Sequence, residues 1–152
     1  MARDENVRIF QDTEKRVKED PGLQEAVERS VAEQVLIPEM MEVIDLMPEA
    51  VQNLDRYEQD AEIIVSKKRS YEAAAGYSGE RVCVHNFASA TNPGGGVTKG
   101  SSAQEECLCR CSTLYFCLNT KEMWAGFYSP HRYMQDPIHN DDCIYTPKVI
   151  VF

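Results

Sequence analysis

From Asn92 to Tyr115 the chain reads Asn-Pro-Gly-Gly-Gly-Val-Thr-Lys-Gly-Ser-Ser-Ala-Gln-Glu-Glu-Cys-Leu-Cys-Arg-Cys-Ser-Thr-Leu-Tyr. Gly94, Gly95 and Gly96 give the backbone conformations and a bare surface that other residues lack. Glu105 and Glu106 follow at a predicted helix start. A backbone able to wrap an anionic ligand beside carboxylates that can move protons points to chemistry on a phosphorylated sugar or nucleotide. Glu105 also has a purely structural reading. Ser102-Ala-Gln-Glu105 fits a capping box, in which both side chains satisfy exposed amides of a new helix. That reading does not account for Gln104 or Glu106.

The common phosphate loops do not fit. A nucleoside-triphosphatase loop needs Gly, four residues, then Gly-Lys-Ser/Thr. Gly95 and Gly100 have that spacing, but Ser101 stands where lysine is required and Lys99 precedes the glycine. The Gly-x-Gly-x-x-Gly dinucleotide fingerprint lacks its tight strand-turn-helix setting. A helix N-terminus lowers a carboxyl pKa, whereas a general acid needs the reverse, so an acid placed here demands a loaded and partly dry site.

The elements that must hold these residues come before and after them. Residues 6–19 carry Val7, Phe10 and Val17 among charges, which predicts an amphipathic helix. Asp20-Pro21 starts a second helix, running through Leu23, Ala26 and Val27 to about Val35. Ile37-Pro38 breaks it. Residues 39–60 read as helical or irregular. From Ala61 the pattern changes. Residues 62–66 read as a buried strand, 70–75 as a helix and 81–87 as a second strand. Together they predict a parallel pair in an α/β sheet, whose ligand end falls at 86–96. A helix is expected over 103–118, an aromatic-rich polar loop after it, and a further strand region at 144–152. His85 reads as packing beside the sheet. His131 and His139 read as polar-loop residues with no partner spacing that demands a metal.

Composition narrows the class. The 152 residues suffice for one ordinary domain, and a net charge of -9 disfavours general nucleic-acid binding. Residues 1–62 hold 17 acidic and 7 basic side chains, net -10, while 63–152 hold 8 and 9, net +1. The glycine-rich half therefore tolerates an anion better. No apolar run is long enough to span a bilayer and the first residues are not a signal peptide, so a cytoplasmic protein with reduced thiols is expected. Cys107, Cys109 and Cys111 are spaced by one residue, too close for a structural zinc site.

Asn86-Phe-Ala-Ser-Ala-Thr-Asn-Pro-Gly-Gly-Gly, seven residues, then Gln104-Glu105-Glu106 closely resembles the signature of poly(ADP-ribose) glycohydrolases. Cys107 to Tyr115 looks like the bacterial (microbial-type) branch. The resemblance implies an α/β fold, a macrodomain-like mixed sheet with flanking helices, extended by N-terminal helices and truncated at the C-terminal end. It divides the chain into an acidic helical region, 1–60, and a partial catalytic region, 61–152. Gly94, Gly95 and Gly96 would lie against the diphosphate and terminal ribose, Glu105 would hold that ribose, and Glu106 would be the catalytic acid/base. Asn92 and Gln104 would complete the substrate-binding set. No cofactor and no metal is implied. The expected partners are ADP-ribose, its polymer and ADP-ribosylated proteins, with no membrane partner and with self-association through an exposed sheet edge. The family's second phosphate loop and its aromatic adenine cover lie beyond the matching region. A binding module or an inactive fragment is therefore the alternative to a hydrolase.

Overall fold

The computed structural model describes residues 2–40, 60–77 and 79–152. The first helix, α1 (Ala2–Glu19), places Asp4 and Glu5 in its first turn and Arg16 and Lys18 in its last, matching the helix dipole at both ends. It buries Phe10, Thr13 and Val17. Asp20 caps α2 (Pro21–Ala32), accepting from the amides of Gly22 and Leu23, and Pro21 fills the first position, where no amide is needed.

Helix α2 stops earlier than its apolar pattern suggests. Residues Val35–Ile37 form β1 instead, antiparallel to β2 (Cys143–Tyr145), with Leu36 opposite Ile144. Only a distant partner makes this stretch a strand, so local periodicity missed it. The predicted segment at 39–60 falls mostly outside the described residues.

Helix α3 (Ser70–Ala74) forms as expected and runs into a 3-10 turn, Ala75–Tyr77. The strands expected on either side of it do not form. Among the described residues, 61–66 and 81–87 join no sheet ladder, and Ile63 and Val65 are exposed. Apolar, β-branched residues favour extended backbone, but a strand also needs a neighbour to bond with. The mixed α/β character therefore rests on many helices and the small β1–β2 sheet.

The helix expected over 103–118 is two helices, α4 (Gln104–Arg110) and α5 (Leu114–Leu118). The break is held from both sides. Ser112 Oγ donates to the Leu108 carbonyl at 2.8 Å and accepts from the Leu114 amide. The Thr113 amide donates to Ile150 O at 2.9 Å, and the Phe152 amide to Cys111 O at 3.0 Å. The C-terminal apolar run thus seats its backbone in the gap, with Ser112 and Val151 bridged antiparallel.

The aromatic-rich region is helical where a loop was expected. Thr120 caps α6 (Lys121–Met123), a π-helical turn follows at Trp124–Tyr128, and α7 (Ser129–Met134) completes the run. Trp124, Phe127, Tyr128 and His131 recur at helical spacing, and the last three are buried. Met123, Phe127 and Tyr128 pack with Leu36, Trp124 and Ile144. His131 is therefore not a loop residue. Its ring nitrogens lie 2.7 Å from Phe127 O and 2.7 Å from Asn140 Oδ1. His85 is exposed, with its ring 5.0 Å from that of Phe87 and no sheet beside it.

The main core joins Phe10 of α1 to Val97, Leu108, Cys109, Leu114 and Leu118. Polar contacts lock the same face. Arg3 Nε donates to Lys99 O at 2.9 Å, Asn6 Nδ2 to Gly100 O at 3.1 Å, and Thr13 Oγ to Arg110 O at 2.5 Å. At Gly100, with φ +77°, any Cβ would collide with the Arg3 carbonyl. Helix α1 thus lies directly against the turn that follows the three glycines. Among the described residues no helix is long and apolar enough to cross a membrane.

Candidate functional site

The glycine run forms two tight turns followed by a 3-10 turn, Val97–Lys99. Gly94 and Gly95 take φ +66° and +58°, left-handed values that side chains disfavour. The Gly95 amide donates to Asn92 O at 3.0 Å, the Val97 amide to Gly94 O at 3.1 Å and the Lys99 amide to Gly96 O at 2.9 Å. The Gly95 amide is thus engaged within the loop, while those of Gly94 and Gly96 turn to the carboxylates of Glu105 and Glu106. What the glycines offer a ligand is close approach rather than a ring of free donors.

This turn sits on the start of α4. The Gly96 amide donates to Glu106 Oε1 at 2.8 Å. Glu106 Oε2 is buried and has no hydrogen-bond partner among the described residues. One carboxylate oxygen is thus held and the other is unengaged.

Glu105 is also turned inward, not outward as a cap. Its Oε2 accepts from the Ser89 amide at 2.8 Å and its Oε1 from Asn86 Nδ2 at 3.4 Å. The capping-box expectation fails: α4 takes Ala103 as N-cap, with no side-chain bond to it. Satisfying two distant donors outweighs satisfying the local amide. Burial pushes the Glu105 carboxyl above its ordinary range. The Ser89 amide, the Asn86 amide and the Gly94 amide oppose that shift, and the neighbouring Glu106 charge adds to it.

Gln104 faces the other way and binds protein at both ends of its amide. Its Oε1 accepts from the Phe87 amide at 2.9 Å, and its Nε2 donates to His85 O at 2.7 Å and to Ser70 Oγ at 3.2 Å. It supplies residues 85–87 with the bonds a neighbouring strand would give, and so carries Asn86 to Glu105. Asn92 lies in a turn shaped by Ser89, whose Oγ accepts from the amides of Thr91 and Asn92. The Asn92 side chain accepts from Arg132 and donates to Thr91 Oγ at 3.1 Å.

The structure therefore gathers Gly94, Gly95, Gly96, Glu105 and Glu106 at one place, with Asn92 at its edge and Gln104 behind it. Sequence reasoning gave no role to Ser89, Asn86 or Arg132. Ser89 had a local signal, since a serine hydroxyl readily accepts from backbone amides a few residues on and so favours a turn. Arg132 had none, because its partners lie about forty positions away. All six cysteines are free thiols, with Cys109 and Cys117 buried. Burial raises the Cys109 thiol well above its ordinary range and raises that of Cys117, which leaves both as packing groups.

The chain is a mixed α/β protein whose glycine turn closes over two buried glutamates. Residues 4–152 match the family described as microbial-type PARG, catalytic domain, and the chain belongs to that family. It is similar to the crystal structure of poly(ADP-ribose) glycohydrolase from Thermomonospora curvata bound to the inhibitor ADP-HPD, with a TM-score of 0.76 and 29% identity. That match covers 99% of this chain and 56% of the other. Another structure of the Thermomonospora curvata enzyme matches with a TM-score of 0.73 and 27% identity, over 99% of this chain and 57% of that one. The chain thus spans a little over half the length of these relatives. A comparison with curated proteins gave no match.

Proposed function

We propose that this chain provides the reacting wall of a poly(ADP-ribose) glycohydrolase cleft, with Glu106 as general acid and base. The observation that carries this reading is the divided Glu106 carboxylate. Oε1 is fixed by the Gly96 amide at 2.8 Å, while Oε2 is buried without a partner among the described residues. A buried, unpaired oxygen is costly, and a sugar hydroxyl offered to it would relieve that cost.

The bond between ribose units breaks through an oxocarbenium-like transition state. Glu106 donates its proton to the departing ribose oxygen as the glycosidic bond opens. The resulting carboxylate takes a proton from water as that water attacks the anomeric carbon, and the acid is restored. Gly94, Gly95 and Gly96 admit the diphosphate and ribose by having no side chains. Glu105, oriented by Ser89 and Asn86, accepts ribose hydroxyls. Gln104 contributes by holding 85–87, and Asn92 by shaping the entry to the turn. The ligand is the terminal ADP-ribose of a polymer on a modified protein, and the setting is cytoplasmic, consistent with six unpaired cysteines.

Turnover measured beside ADP-ribose binding, in wild type and Glu106→Gln, tests the assignment. The same pair of assays separates a hydrolase from a module that binds without cleaving.

A further inference from the structure

We infer that Arg132 is a positioning residue for the glycine turn and acts through a closed ring of side chains; this rests on the reading of that turn as part of the cleft. Arg132 Nε donates to Thr91 O at 2.7 Å, and its terminal nitrogen donates to Asn92 Oδ1. Its guanidinium lies 4.5 Å from the centre of the Trp124 ring. Trp124 Nε1 donates to Asn119 Oδ1 at 2.8 Å, and Asn119 Nδ2 to Tyr115 Oη at 3.2 Å. Tyr115 closes the ring, since a methyl on Gly94 would come within 2.7 Å of its Cδ2. The turn from Thr91 to Gly94 is thus gripped at both ends by one connected set of side chains.

Three features set this apart from an ordinary surface arginine. Arg132 is exposed, yet it is ordered by two backbone-shaping bonds and one ring contact at once. The two acceptors sit on adjacent residues, a fork that the planar guanidinium is pre-organised to span and a compact lysine ammonium is not. Trp124 opens a π-helical turn, a rare backbone form concentrated at functional sites. The consequence is geometric. Asn92 O receives the Gly95 amide, and Gly96, next along, fixes Glu106. A shift at Asn92 therefore reaches the carboxylate through four residues of tight turn.

The test compares wild type with Arg132→Ala, Arg132→Lys and Trp124→Phe for kcat, KM, ADP-ribose Kd by calorimetry, and Tm. Arg132→Ala is expected to lose about tenfold or more in kcat, since displacement of a reacting group by about an ångström costs that much or more. Its Tm stays close to wild type. Added ethylguanidinium restores part of the lost kcat, Arg132→Lys recovers little, and Trp124→Phe falls between. Turnover of Arg132→Ala within about twofold of wild type overturns the inference. So does a loss of kcat that follows the unfolded fraction and is not restored by ethylguanidinium. If wild type binds ADP-ribose without turnover, the hydrolase reading fails. The inference then stands on a weakened Kd in Arg132→Ala and falls if Kd is unchanged. Wild type that neither binds nor turns over overturns both.

Discussion

A methyl group built on Gly95 would stand 2.6 Å from Glu106 Oε1 and 3.1 Å from Glu105 Oε2. The glycine is therefore the space in which the carboxylate pair sits. Gly95 also holds φ +58°, a value that costs a non-glycine residue roughly 1–2 kcal/mol. Glu106 cannot swing aside without giving up the Gly96 amide. Gly95→Ala is expected to lower Tm and to abolish turnover even where the fold survives. Circular dichroism melting beside an ADP-ribose release assay checks this, and a Gly95→Ala protein with ordinary turnover would contradict the packing described.

Glu105 makes a prediction about pH. Burial raises its folded carboxyl pKa above the unfolded value. Such a group favours the fold below the unfolded carboxyl range and loses that contribution as pH rises through the raised folded value. Ionising Glu105 therefore weakens the fold. Glu105→Gln keeps an acceptor for the Ser89 amide, and its new amide, standing where Oε1 accepts from Asn86 Nδ2, is matched when the Asn86 side chain turns over to present Oδ1, which is buried without a partner among the described residues. Its Tm should exceed that of wild type at neutral pH. The advantage should vanish as pH falls into the carboxyl range. A Tm below wild type at neutral pH would show that the charge is compensated.

Asp20 provides a control remote from the carboxylates. Its Oδ1 accepts from the amides of Gly22 at 2.8 Å and Leu23 at 3.2 Å. Asp20→Ala is expected to cost about 1 kcal/mol of stability. Turnover per folded molecule should stay at the wild-type level. A selective loss of kcat in this variant would mean that α2 takes part in the site.

The fold was legible where a single local interaction decides it. Asp20-Pro21 starts a helix by capping chemistry alone, and α3 is ended by the residues that follow it. The glycine run and the paired glutamates were legible as a candidate site because bare backbone beside carboxylates has few structural uses. Legibility failed where distant partners decide. Ser102 and Glu105 satisfy the capping-box pattern, yet Glu105 turns to the donors of Ser89 and Asn86, which lie 16 and 19 positions away. Residues 62–66 and 81–87 have strand composition, but composition names no neighbour; Gln104 does that work for 85–87. The helix over 121–134 was written in the spacing of Trp124, Phe127, Tyr128 and His131, and its polar residues masked it.

Glu106→Gln tests the central claim most directly. Gln keeps an oxygen for the Gly96 amide, so the turn and the binding surface are preserved while the acidic proton is removed. The expected result, in the intact protein, is loss of ADP-ribose release by about 10²-fold or more, the usual worth of a positioned general acid and base. ADP-ribose should still bind with near wild-type affinity by calorimetry. Unchanged turnover in Glu106→Gln would contradict the assignment of the acid and base to this carboxylate.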